Sequence, residues 1–135
     1  MSRREFEEIR EKTMQIIFAM DAMNDFDYNN IAIIAENRDV LSENRALITL
    51  DAIKEHIDEI DEAILSCTDN WKVDRIAKTD LAILRNAVAE MKYNDKIPNA
   101  VAINEAVNLA KKFGDDKSYA FVNSVLSKVN KSLEA

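Results

Sequence analysis

The sequence predicts an all-α domain, and three observations carry that expectation. One glycine, Gly114, and one proline, Pro98, leave a chain of 135 residues almost no material for the reversals that a β fold requires. Apolar residues recur at spacings of three and four along most of the chain. An apolar content of 47% supports one sizeable core in a chain too short for two independent domains of ordinary size. One compact helical bundle is expected, its two halves meeting near residue 70.

The elements follow in order. From Arg3 to about Met23 the residues Phe6, Ile9, Ile16, Ile17 and Met20 share a face, with Thr13 filling a gap, so the spacing predicts a first helix. The polar run Asn24 to Asn30 reads as a loop, Ile31 to Asn37 as a short helix, and Asp39 to Ser42 as a connection whose Ser42 can cap the next helix. Ala46, Leu50, Ile53, Ile57, Ile60 and Ile64 form the longest seam of the chain. Asn70-Trp71-Lys72 reads as a turn into a short segment ending at Ile76, and Thr79 as the cap of a helix with Leu81, Leu84, Val88 and Met91 inward.

Pro98 suits a helix start and Gly114 a left-handed helix end, with Ile103, Ala106, Val107 and Ala110 as the core face between them. Lys111 and Lys112 place positive charge near the last carbonyls, where the helix dipole favours it. A final helix from about Lys117 to Leu133 points Val122, Val125, Leu126 and Val129 inward.

Several function classes are disfavoured. No apolar run approaches the roughly 18 residues of a membrane-spanning helix, and the charged N-terminus is not signal-like, so a soluble, cytoplasmic protein is expected. Cys67 has no second cysteine with which to pair. A net charge of −7 opposes general attachment to nucleic acid, so any RNA binding must use a confined basic patch. His56 lacks the further histidines or positioned partner that a metal site or general base needs, and the carboxylates between Asp51 and Glu62 lie mostly opposite the apolar seam. With no phosphate loop or nucleophile motif either, no catalytic residue, metal or cofactor is expected.

Function in a helical bundle shows best where a residue breaks the amphipathic pattern. Phe18 lies about 150° from the core centre of the first helix at 100° per residue, with Met14 close to it. It either packs beneath a neighbouring segment or belongs to a protein-binding patch. Phe121 lies about 100° off the core of the last helix beside Lys117 and Lys128. It either seals the core edge or offers a ring on which an RNA base stacks. At the N-terminus Arg3, Arg4, Arg10 and Lys12 are offset by Glu5, Glu7, Glu8 and Glu11, which leaves only a weak basic patch.

Nearly the whole chain resembles the NusB family of transcription antitermination factors, most closely after residue 70. The matching elements are Arg10-Glu11 with Gln15 and Phe18, Trp71 through Arg75, Ala82-Ile83-Leu84-Arg85 with Glu90, Ile97-Pro98, Ile103 to Val107, Ala110 to Gly114, and Phe121-Val122-Asn123. The resemblance implies an all-helical fold of two small bundles, about 1–68 and 69–135, and no enzymatic activity. It also implies binding of boxA-type single-stranded leader RNA together with NusE, a small-subunit ribosomal protein, in a complex that joins RNA polymerase and suppresses termination, notably in ribosomal RNA operons.

By position, the resemblance and the basic N-terminus together place RNA contacts at Arg3, Arg4, Arg10, Gln15, Lys117, Ser118 and Phe121. NusE contacts fall at Met14, Phe18, Asp74 and Asp80, and an uncovered Phe18 patch is also compatible with a homodimer. The chain departs from the family at Phe6-Glu7-Glu8-Ile9, which replaces an arginine run, at Lys117, which replaces an acid, and at Ser124, which replaces a glycine. The carboxylates of the first helix motivate a second reading, a NusB-fold protein adaptor with weak or no RNA binding.

Overall fold

The computed structural model describes residues 2–32, 38–69 and 72–134, and among these the chain is all-α. The helices are α1 (Arg3–Met23), α2 (Tyr28–Ala32), α3 (Asn44–Leu65), α4 (Lys78–Tyr93), α5 (Asn99–Phe113) and α6 (Ser118–Glu134). Short 3-10 turns at Arg38–Ser42 and Val73–Arg75 precede α3 and α4.

Local chemistry explains most of the boundaries. Ser2 and Glu5 form a reciprocal capping box at the start of α1, and Asn24 ends it in the left-handed conformation, with φ 51°. Helix α2 begins earlier than expected because Asp27 Oδ1 accepts the Asn29 N–H at 3.0 Å and so organises the first turn. Residues 33–37 of the expected short helix, and Asn70 and Trp71 of the expected turn, lie outside the described residues.

Ser42 and Thr79 do not cap their helices. The Ser42 hydroxyl donates back to the Asp39 carbonyl inside its 3-10 turn, Glu43 takes the cap of α3, and α4 starts one residue before Thr79 with Ala77 at its cap. The seam of α3 is buried except for half-buried Ile57, beside a kink at His56, where φ is −132° and ψ 26°. The His56 ring stacks on Tyr93 at 4.3 Å.

Helix α4 is the hub. It packs against α1, α3, α5 and α6, and Asp80 through Met91 is buried on every side, as expected of a helix enclosed by others. Two of its buried charges are partnered across to neighbours: Arg85 spans Asp61 of α3 at 2.8 Å and Asp21 of α1 at 2.9 Å, and Glu90 meets Arg10 of α1 at 2.8 Å. The inward stripe of α6 is Val122, Val125, Leu126 and Val129, all buried.

The core face of α5 is rotated from the expected one. Ala102, Ala106, Leu109 and Ala110 are buried while Ile103 and Val107 are only half-buried, because α5 lies against both α4 and α6 and turns three alanines and Leu109 toward them.

Candidate functional site

The expected contact residues fall on α1, on and just before the start of α4, and on the first turn of α6 and the turn between α5 and α6. That turn is tightly organised. The Ser118 hydroxyl accepts the Asp115 N–H at 3.0 Å and donates to Asp115 Oδ1 at 3.2 Å, while Asp115 Oδ1 also accepts the Lys117 N–H at 2.8 Å. Gly114 ends α5 with φ −87° and ψ −175°, an extended conformation open to any residue. The expected left-handed end is therefore absent. Glycine is required for space instead: a Cβ there would meet Ser118 Cβ and Oγ at 2.4 Å and the Ala110 carbonyl oxygen at 2.8 Å.

Four of the expected contact residues are turned inward. Arg10 is 6% exposed, its guanidinium donating to both Glu90 oxygens, with Glu105 4.0 Å away. In this structure its guanidinium faces the core rather than the surface where an RNA contact was expected. Met14 is 3% exposed rather than part of the Phe18 patch. The reason lies in its neighbours on the helix: Arg10, Met14, Ile17 and Asp21 form one stripe, and the ends of that stripe reach Glu90 and Arg85 of α4. Met14 is held between them.

Asp80, expected as a partner contact, is 7% exposed in the first turn of α4. Its Oδ1 has no hydrogen-bond partner in the described structure. Burial pushes its carboxyl above the usual aspartate range; the nearby Ser118 hydroxyl opposes that shift and Asp115 adds to it. Ser118, expected as an RNA contact, is buried and holds the turn together in this structure.

The remaining candidates lie on the surface. Phe18 is 42% exposed, and Gln15, Asp74 and Lys117 are exposed as well. Phe121 is half-buried and packs against the core, so its ring seals a core edge while retaining an accessible side. Arg3 and Arg4 are exposed but ion-paired one turn on, with Glu7 at 3.1 Å and Glu8 at 3.5 Å. Lys112 of α5 bridges to Glu11 of α1, and Lys78 at the start of α4 reaches Asp21 at 3.2 Å. These two bridges tie half-buried positions of α1 to the α5 end and the α4 start. Sequence reasoning missed both, because neither pair is close in sequence.

The NusB family profile matches residues 7–131, almost the whole chain. The chain belongs to the NusB family. It is 43% identical over 129 residues to the transcription antitermination protein NusB of Bacillus velezensis, covering 93% of this chain and 95% of that one. It is 43% identical to the Bacillus subtilis NusB over 128 residues, with 93% and 94% covered.

Among solved structures, T. maritima NusB superposes with a TM-score of 0.80 at 26% identity, over 93% of this chain and 89% of that one. NusB in a complex of NusB and NusE with double-stranded RNA gives 0.77 at 24% identity, over 97% and 99%, which speaks to the fold alone. Both Bacillus relatives are named for antitermination rather than for a catalysed reaction. No described helix is long and apolar enough to cross a membrane.

Proposed function

We propose that this NusB-family chain is a transcription antitermination factor that binds boxA-type leader RNA together with NusE and joins the transcribing RNA polymerase, with ribosomal RNA operons as its main setting. The observation that carries this reading is the α5–α6 turn, where Gly114, Asp115 and Ser118 hold Lys117 outward at the head of the helix bearing Phe121. A cation held beside a ring suits single-stranded RNA, with phosphate on the ammonium and a base on the aromatic face. Phe18, a large apolar side chain left exposed on α1, is the anchor proposed for NusE, with Asp74 near the α4 start as a polar contact. Near-full-length identity of about 43% to relatives named as antitermination proteins supports the same reading.

A second reading is favoured by one observation: the arginines of α1 are all engaged, Arg3 and Arg4 with glutamates of their own helix and Arg10 inside the core. A NusB-fold adaptor that keeps its protein partner but binds RNA weakly would have this charge pattern. Titration of boxA RNA and a scrambled RNA, each with and without NusE, separates the two. Preference for boxA that strengthens with NusE supports antitermination, and equal weak binding of both RNAs supports the adaptor.

A further inference from the structure

The cations of the first and last helices differ in a way that bears on how RNA is held. On α1 each arginine has a carboxylate partner. At the other end of the chain Lys117, Lys128 and Lys131 are exposed and form no ion pair among the described residues, and the only acid within α6 is Glu134, its last residue. The Phe121 N–H bonds the Lys117 carbonyl at 3.2 Å, so Lys117 continues the helical register of α6.

At about 100° per residue, Lys117, Phe121, Ser124, Lys128 and Lys131 fall within an arc of about 80° on the side away from the buried valines. The row extends about 21 Å along the axis at about 1.5 Å per residue, enough to follow at least about four nucleotides.

Resting on the RNA-binding reading above, we propose that this face of α6 is a phosphate track: Lys128 and Lys131 continue the path of a single RNA strand that begins at Lys117 and Phe121. The track supplies from α6 the positive charge that carboxylates neutralise on α1. An RNA backbone fits the row better than an acidic protein segment does. Protein contacts centre on apolar anchors, and the exposed large apolar residues of α6, Tyr119 and Leu133, both lie about 160° of arc from Lys117. Because phosphate contacts carry no sequence information, the track acts on any single strand and leaves base choice to other residues.

The test is a salt titration of RNA binding by the full chain with NusE, comparing wild type, Lys128→Gln/Lys131→Gln and Lys128→Arg/Lys131→Arg on boxA RNA and on a scrambled RNA of equal length. Both side chains are exposed, so thermal unfolding of the variants should match wild type. The glutamine pair should flatten the slope of log affinity against log salt by about 1.4, about 0.7 for each phosphate no longer neutralised, and weaken binding about twentyfold near 0.1 M salt. The arginine pair should keep the wild-type slope.

An unchanged slope in the glutamine pair overturns the track, as does a loss of NusE affinity in the absence of RNA, which would assign the face to protein. If wild type prefers boxA no more than the scrambled strand, the antitermination reading fails, while the slope difference on either RNA still decides the track. If wild type binds neither RNA, both fall.

Discussion

Arg10 and Glu90 form a buried ion pair, 2.8 Å between Nη2 and Oε2 with both side chains 6% exposed, that ties α1 to the central helix. Each is the compensation for the other's desolvation, and Glu105 lies near the same guanidinium at 4.0 Å. Arg10→Ala should therefore destabilise the fold by about 3–5 kcal/mol, because a buried carboxylate loses its partner. Chemical denaturation measures this. A variant as stable as wild type but with impaired RNA binding would instead return Arg10 to the binding surface.

Phe18→Asp should abolish NusE binding while leaving the fold nearly as stable, within about 0.5 kcal/mol, since an exposed ring contributes little to the core. In the complex the new carboxylate would sit desolvated at the centre of an apolar contact. Pull-down or calorimetry against NusE, alongside a denaturation curve, checks both halves. Retained affinity would place the NusE surface elsewhere.

Gly114→Ala should destabilise the protein by about 1–3 kcal/mol, because the added methyl runs into the Ser118 side chain and into the Ala110 carbonyl, which is backbone and cannot swing aside. Since Ser118 shapes the turn that presents Lys117, RNA affinity should fall with it. A melting temperature equal to that of wild type would show that the turn relaxes freely.

Acid dependence should separate two aspartates. Asp21 is pushed up by burial, but hydrogen bonds and charge from Arg85 and Lys78 outweigh this and leave it below 3.8, so its stabilisation is present above that value and is lost as pH falls through the lowered one. Asp80 is raised above 3.8, chiefly by burial, so its contribution is full below 3.8 and is lost as pH rises through the raised value. Asp80→Asn should thus raise the melting temperature at pH 7, with the gain shrinking toward pH 3.5. A lower melting temperature at pH 7 would mean that the charge itself is needed.

The Arg3–Glu7 and Arg4–Glu8 pairs lead to an electrostatic prediction. Glu7→Arg/Glu8→Arg should release the N-terminal arginines, tighten RNA binding and steepen its salt dependence by about 0.7 for each additional phosphate neutralised. Unchanged affinity and slope in the double variant would show that RNA passes this end of α1 by.

Much of the fold was legible because helical periodicity survives packing: the stripes of α3 and α6 are buried nearly as their spacing predicts. Phe18 was legible for the same reason, since a residue far from the core centre stays outside whatever covers the other face.

The inward turn of Arg10, Met14, Asp80 and Ser118 was not legible, because it depends on partners 80 residues away in the case of Arg10 and Glu90. It also depends on a central helix enclosed by four others. The rotation of α5 has a related cause. Three alanines and Leu109, rather than Ile103 and Val107, take the inward face between α4 and α6. Gly114 was recognised as special for the wrong reason, because sequence marks a glycine without saying whether conformation or space requires it.

The most direct test of the antitermination reading is the affinity for boxA RNA measured against a scrambled strand, with and without NusE, for wild type and Phe121→Ala. The account predicts that wild type prefers boxA, that NusE strengthens this preference, and that losing the ring weakens binding by roughly 1–3 kcal/mol, as expected for one stacked base. Equal affinity of wild type for boxA and scrambled RNA in the presence of NusE would contradict it.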